Sequence, residues 1–248
     1  MRLFFSKLIK ETVFKNYLIV RSTLKTDQSL RMKKLLQYYS ITKIFDIGAH
    51  QGESGIRFRK LGFCGQIISI EPIQSEFEKL QATAKNDPDW IALNLAIGEA
   101  NYLADLHVSE KSDCSSFLPI SIRHLVTEST SASTKKQQVQ IATFDSIFEK
   151  YYHANDNVFI KIDVQGFEKK VLEGMQGSFE KIVGLKIELS NVELYKDQAL
   201  VDEILPYLYK KNFILCSVEP GFVDSNTGQL LQIDGVFFRD KTSYQVGR

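Results

Sequence analysis

The sequence predicts an α/β fold: a mostly parallel sheet covered by helices on both faces, with a final antiparallel strand. Three observations predict it. Short apolar runs of strand length recur from residue 43 onward. Segments of helical period separate them, which implies parallel neighbours joined by crossover helices. The last connection, Glu219-Pro-Gly-Phe-Val-Asp-Ser-Asn-Thr-Gly228, is full of turn formers and cannot hold a covering helix. The runs on either side of it therefore fold back as an antiparallel pair.

In order along the chain, Lys43–Gly48 is a short buried strand, followed by a glycine-bearing turn and a helix through Arg57–Leu61. Gln66–Glu71 is the second strand, and Gln74–Asn86 a helix stopped before Asp87-Pro88. Trp90–Ala96 is the third strand. Residues 99–150 fit the rhythm less well. Tyr102–Val108 reads as an extra strand, Ser129–Gln138 as a polar loop, and Gln138–Ala142 as another strand. An amphipathic helix over Phe144–Tyr151 follows, with Thr143 or Asp145 near its start. Val158–Asp163 is the fourth strand and leads into a helix ending near Gly174. Ile182–Leu189, a helix over Gln198–Lys210, Phe213–Val218 and Leu231–Arg239 complete the pattern.

The length of 248 residues suits one such sheet, expected over 41–248, preceded by a helical extension over 1–40. Along that extension Phe5, Leu8, Ile9, Val13 and Tyr17 share one helical face. The face packs on the parent domain or on a partner subunit of a homo-oligomer. Peripheral membrane contact through residues 1–20 is the alternative. Lys7, Lys10, Glu11 and Lys15 interrupt the apolar residues, so neither a secretory signal nor a transmembrane segment is expected.

A balance of 31 basic against 30 acidic residues argues against a nucleic-acid partner. Cys64, Cys114 and Cys216 lack metal-site or redox spacing and read as reduced thiols of a cytoplasmic protein.

Chemistry concentrates in Asp46-Ile-Gly48-Ala-His50-Gln-Gly52. Glycines after a strand let a ligand approach the backbone, and the next helix offers unpaired N–H groups. His50 stands where a dinucleotide fingerprint needs its second glycine, and no Gly-Lys-Ser/Thr follows. Glu71 ends the second strand, where an acid in a doubly wound fold accepts hydrogen bonds from ribose hydroxyls. Asp46 and Glu71 together point to an adenosine ligand without a pyrophosphate, and S-adenosylmethionine meets that description.

Phe45-Asp-Ile-Gly-Ala-His-Gln-Gly-Glu-Ser54 resembles the signature of FkbM-type methyltransferases. Ile70-Glu-Pro-Ile-Gln-Ser-Glu-Phe77, Asn94-Leu-Ala-Ile-Gly98 and Lys161-Ile-Asp-Val-Gln-Gly-Phe-Glu168 resemble its next three strand motifs, and Ile233–Arg239 its final strand. The resemblance implies a class I methyltransferase (Rossmann-like) sheet, S-adenosylmethionine as cofactor, and a hydroxylated small-molecule or glycan acceptor. Carried over by position, it implies cofactor contacts at Asp46, Gly48, Ala49, His50, Gly52, Glu71, Pro72, Ala96 and Asp163. His50 replaces the usual Asn, and Gln165 stands where Glu is common.

Asp163 and Glu188 are the catalytic candidates. Lys161/Asp163 and Lys186/Glu188 repeat one pattern on strands expected to be adjacent, which puts both carboxylates at strand ends on one face. Close like charges would raise one pKa toward neutrality and favour a base. The alternatives are mutual neutralisation by the lysines, a divalent-ion site, and proximity alone; no metal is assigned. His107, His124 and His153 are weaker candidates, Ser115-Ser116 cap a turn or, as the alternative, contact the cofactor, and Glu168 offsets a helix dipole. A nicotinamide-dependent oxidoreductase and an inactive cofactor-binding module are the competing functions.

Overall fold

The computed structural model describes residues 28–109, 115–121 and 134–240. Helix α1 spans 28–38. It is followed by β1 (Lys43–Ile47), α2 (Glu53–Lys60), β2 (Gln66–Ile70), α3 (Gln74–Ala84) and β3 (Trp90–Leu93). Next come β4 (Ala96–Gly98), β5 (Tyr102–Ser109), β6 (Thr134–Thr143), α4 (Phe144–Tyr151) and β7 (Val158–Ile162). The chain continues with α5 (Glu168–Glu173), β8 (Ile182–Ser190), α6 (Val201–Lys210), β9 (Phe213–Pro220) and β10 (Gln232–Arg239).

Seven strands form one sheet in the order β3-β2-β1-β7-β8-β10-β9. All neighbours are parallel except β10, which runs antiparallel to both β8 and β9. The last strand thus pairs with β9 as its turn-rich approach predicts, and also inserts beside β8.

Alternation explains the two cores. Phe45, Ile47, Ile160, Ile162, Leu185 and Ile187 face one side and pack under α4, α5 and α6 with Phe144, Phe148, Val171, Leu172, Ile204 and Leu208. Ile44, Ile67, Phe159, Val236 and Phe238 face the other and meet Met32 and Leu36 of α1, Phe58 of α2, and Leu80 of α3. Every residue of β1 and β7 is buried, as parallel strands covered on both faces require. Thr143 caps α4 by accepting a hydrogen bond from Ser146 N.

Two expectations are corrected. The run 90–96 is not one strand: it breaks after Leu93, and Ala96–Gly98 leaves the main sheet to pair with β6. Residues 134–137, expected in a polar loop, belong to β6, where Gln137 pairs with Leu106 and Lys135 with Val108. Cross-strand pairing with β5 overrides their polarity. The remainder of that expected loop, residues 129–133, lies outside the described residues, as do 1–27 with their amphipathic face, Cys114 and His124. The three-stranded sheet β4-β6-β5 carries its own cluster of Ile73, Ala96, Leu106, Val139, Ile141 and Phe167. Among the described residues, no helix is long and apolar enough to cross a membrane.

Candidate functional site

The carboxyl ends of β1, β2 and β7 meet the small sheet around a cavity of about 720 Å³, measured to its open mouth. Its apolar wall comes from Ile73, Ala96, Ile97, Leu106, Phe117 and Phe167, and its polar lining from His50, Glu71, Ser115, Asp163 and Gln165.

The turn after β1 is held from both sides. Gly48 (φ 76°) and Ala49 donate their N–H groups to Ile70 O at 3.0 Å each. A Cβ on Gly48 would lie 1.8 Å from Asp163 O, so only glycine lets β1 and β7 close here. His50 (φ 48°) and Gly52 (φ 95°) complete a left-handed turn into α2.

Glu71 is 4% exposed. Its Oε2 accepts from His50 N at 2.8 Å and its Oε1 from Ile73 N at 2.9 Å. Burial pushes its carboxyl pKa up, and the two N–H donors only partly offset this. The His50 ring points elsewhere, with Nδ1 3.2 Å from Glu53 and Nε2 3.3 Å from Glu76.

Beneath the turn lies a buried charge network. In register across β2, β1, β7 and β8 stand Ser69, Asp46, Lys161 and Lys186. Lys161 Nζ is 3.4 Å from Asp46 Oδ1 and 3.3 Å from Asp163 Oδ2, and donates to Gly48 O at 2.9 Å. Burial would lower the Lys161 pKa, but the two carboxylates hold it above its usual range. Burial raises Asp46 despite that partner.

Lys186 does not pair with Glu188. It turns to Glu219 at 3.0 Å and Asp234 at 2.9 Å, while Arg57 also contacts Glu219. Glu188 instead accepts from Gln232 Nε2 at 2.7 Å and lies 3.4 Å from Gln165 Nε2. Burial pushes the Glu188 carboxyl well up, and the charges of Asp163, Glu168 and Asp234 add to it. Burial alone would raise Asp163 as well, yet Lys161 and the Gln165 amide hold it below its ordinary value. The pair is therefore split, and Glu188 is the member raised.

The cavity brings together six of the ten candidate positions: Gly48, His50, Glu71, Pro72, Ala96 and Asp163. Asp46, Ala49, Gly52 and Glu188 do not line it. Asp46 and Ala49 are buried behind the turn, Gly52 starts α2, and Glu188 stands beyond Gln165. Sequence reasoning missed Phe117, whose ring centroid lies 5.0 Å from that of Phe167. No periodic signal marks residues 115–121, so nothing in the sequence singles out Phe117, whereas Ser115, the alternative cofactor contact, does line the cavity. Ser116 does close a turn, accepting from Leu118 N, and its hydroxyl also reaches Gln165 O at 2.6 Å. Among the described residues, no group of three or more His, Cys, Asp or Glu is arranged to hold a metal ion.

The Methyltransferase FkbM domain matches residues 46–215, more than half of the chain. The chain belongs to the FkbM methyltransferase family. This FkbM methyltransferase is an S-adenosylmethionine-dependent enzyme, and the nicotinamide alternative falls with that assignment. Its α/β sheet is the expected one, mostly parallel with one antiparallel strand.

No curated protein sequence matches the FkbM methyltransferase chain. Solved structures resemble it distantly. M. capricolum TrmK in complex with S-adenosyl-homocysteine is 10% identical at a TM-score of 0.44, over 81% of this chain and 62% of that one. The fibrillarin/Nop5p complex is 11% identical at 0.44, over 80% and 73%. An rRNA methylase from Streptococcus thermophilus is 8% identical at 0.42, over 80% and 87%. These likenesses are too remote to add to the family assignment.

Proposed function

We propose that this FkbM methyltransferase is an O-methyltransferase, with Asp163 at the boundary between cofactor and acceptor. The acceptor is a hydroxylated small molecule or a sugar of a glycan. The observation that carries the reading is the position of Asp163: it lines the cavity and also flanks Glu188 through a shared amide. The cavity's donor set fits S-adenosylmethionine, with an apolar wall for a purine, a buried carboxylate at the end of β2 for ribose hydroxyls, and an ionised carboxylate for a sulfonium.

In this reading Glu71 holds the ribose, while Ala96, Pro72, Ile73 and Phe117 enclose the base. Gly48 and His50 bring their backbone against the methionine end. Asp46, Ala49 and Gly52 act behind them by fixing the turn. When bound, the cofactor supplies an electrophilic methyl group. Asp163 would orient the acceptor hydroxyl and take up its proton as the methyl carbon passes from sulfur to oxygen, the carbon–sulfur electron pair staying on the departing thioether. Glu188 provides a second carboxyl of higher proton affinity, whose Oε1 carries no hydrogen bond among the described residues.

A near-neutral chain suits a neutral acceptor. Free thiols at Cys64 and Cys216 suit a cytoplasmic setting.

The test is methyl transfer from labelled cofactor to a panel of sugars, phenols and amines, with Asp163→Asn alongside. Transfer to a hydroxyl, with turnover in the variant reduced far more than cofactor affinity, supports the reading. Transfer only to amines would overturn O-methylation, and cofactor binding with no transfer to any acceptor would favour an inactive module.

A further inference from the structure

Gln165 follows β7 in a left-handed conformation, φ 54°, ahead of Gly166 at φ 95°. That turn folds its side chain back over the strand end. Its Nε2 donates to Asp163 Oδ1 at 2.9 Å and lies 3.4 Å from Glu188 Oε2. Its Oε1 accepts from the hydroxyl of Tyr195, a fully buried residue, at 2.9 Å. With the amide oxygen taken by a hydroxyl donor, only the NH₂ group remains for the carboxylates. The backbone is pinned too, by the Ser116 hydroxyl on Gln165 O at 2.6 Å.

We propose that Gln165 is a positioning residue that makes the Asp163–Glu188 pair unequal, fixing Asp163 as the carboxylate that faces the cofactor's sulfonium. The inference rests on the cofactor reading above. The charged neighbours of the pair are otherwise shared or engaged elsewhere. Lys161 of β7 divides its charge between Asp163 and Asp46 of β1. Lys186 of β8 is held by Glu219 of β9 and Asp234 of β10. Glu168 of α5 accepts from Val164 N and Gly166 N. His50 engages Glu53 and Glu76. Two neutral amides reach the pair: Gln232 Nε2 donates to Glu188 at 2.7 Å, and Gln165 is the one that spans both carboxylates, nearer to Asp163 than to Glu188.

A charge at Asp163 favours the sulfonium of S-adenosylmethionine over the uncharged thioether of S-adenosylhomocysteine. The ratio of the two affinities therefore reads Asp163 without any acceptor. The experiment measures both affinities by calorimetry from pH 5 to 8 in wild type, Gln165→Glu and Tyr195→Phe. In parallel, carboxyl carbon NMR follows the titration of Asp163 in the cofactor-free protein, assigned by its absence in Asp163→Asn.

The Glu variant replaces the donor with a third acid. It is expected to move the Asp163 titration up by about one pH unit or more. At pH 6 it should weaken S-adenosylmethionine about fivefold while S-adenosylhomocysteine changes less than about twofold, the difference expected for partial loss of one charge. Tyr195→Phe, which frees the amide to turn over, should shift both readouts the same way by less, and it carries the test if Gln165→Glu does not fold. An unmoved Asp163 titration, or equal losses for the two ligands, would overturn the proposal. If wild type binds neither ligand, the cofactor reading fails, and the titration still decides whether Gln165 splits the pair.

Discussion

Lys161 donates a 2.9 Å hydrogen bond from its ammonium to the carbonyl oxygen of Gly48, tying a buried cation on β7 to the turn that shapes the cavity. The same nitrogen neutralises Asp46 and Asp163. Lys161→Met should therefore leave a buried carboxylate uncompensated and cost about 3–5 kcal/mol. Urea unfolding measures this, and a second change, Asp46→Asn, should restore part of the loss. A Lys161→Met protein as stable as wild type would show that the network does not hold the turn.

Gly48 and Gly228 offer a controlled comparison. Both have positive φ, 76° and 73°. A Cβ meets Asp163 O at 1.8 Å at Gly48, and nothing within 4 Å at Gly228. Gly48→Ala should cost more than about 3 kcal/mol, because backbone strain and a main-chain clash combine, whereas Gly228→Ala should cost about 1 kcal/mol. Thermal unfolding of the two variants distinguishes them; equal midpoints would contradict the clash.

Glu71→Gln keeps the size of the side chain but removes one carboxylate oxygen. Since both oxygens already serve backbone N–H groups, the variant loses the His50 or Ile73 contact as well as charge. Affinity for S-adenosylhomocysteine should fall by about 1.5–3 kcal/mol. Calorimetry gives the value, and undiminished affinity would remove Glu71 from the ribose site.

Glu168 gives a stability signature. Burial drives its carboxyl pKa up to about 7, with backbone N–H donors opposing and Asp163 adding to the rise. A folded value above the unfolded one means that the folded state holds its proton longer. Stability from this group is complete below the unfolded value of about 4.5 and is lost as pH rises toward 7. The loss is on the order of 3 kcal/mol, the rise from 4.5 to about 7 taken at about 1.36 kcal/mol per pH unit. Glu168→Gln retains an acceptor for Val164 N and Gly166 N, both of which bond to Oε1. It should flatten the stability profile between pH 4.5 and 7. Chemical unfolding at several pH values tests this, and an unchanged slope would refute it.

The strands were legible because parallel sheets bury both faces, so β1, β2, β7 and β8 are continuous apolar runs that periodicity cannot miss. Asp46 and Lys161 were legible as anomalies in such runs. Their meaning was not. Sequence spacing placed Asp46 at the ligand, but it lies under the turn, since its partner on the next strand is Lys161 in register. Mutual neutralisation by the lysines holds only in part: Lys161 meets Asp163, but Lys186 is drawn away because β10 brings Asp234 and β9 brings Glu219 from far along the chain. The Lys135–Gln137 stretch reads as loop in isolation and becomes strand only when β5 lies beside it. Phe117 and Tyr195 reach the site through long-range contacts that carry no local signature.

The insertion of β10 between β8 and β9 sets the order in which this sheet can be finished during synthesis. Six of its strands leave the ribosome before the one that separates two of them. Until Gln232–Arg239 emerges, β8 has an open edge, and the slots for Val236, Phe237 and Phe238, each 0% exposed when filled, stay vacant. Glu188 and Ser190 meanwhile lack Gln232, and Lys186 lacks Asp234. The Glu188 face of β8 therefore reaches its final electrostatic state only when this late segment has docked, so a nascent chain stalled before residue 232 would carry every residue that lines the cavity while the surroundings of Glu188 stay unfinished.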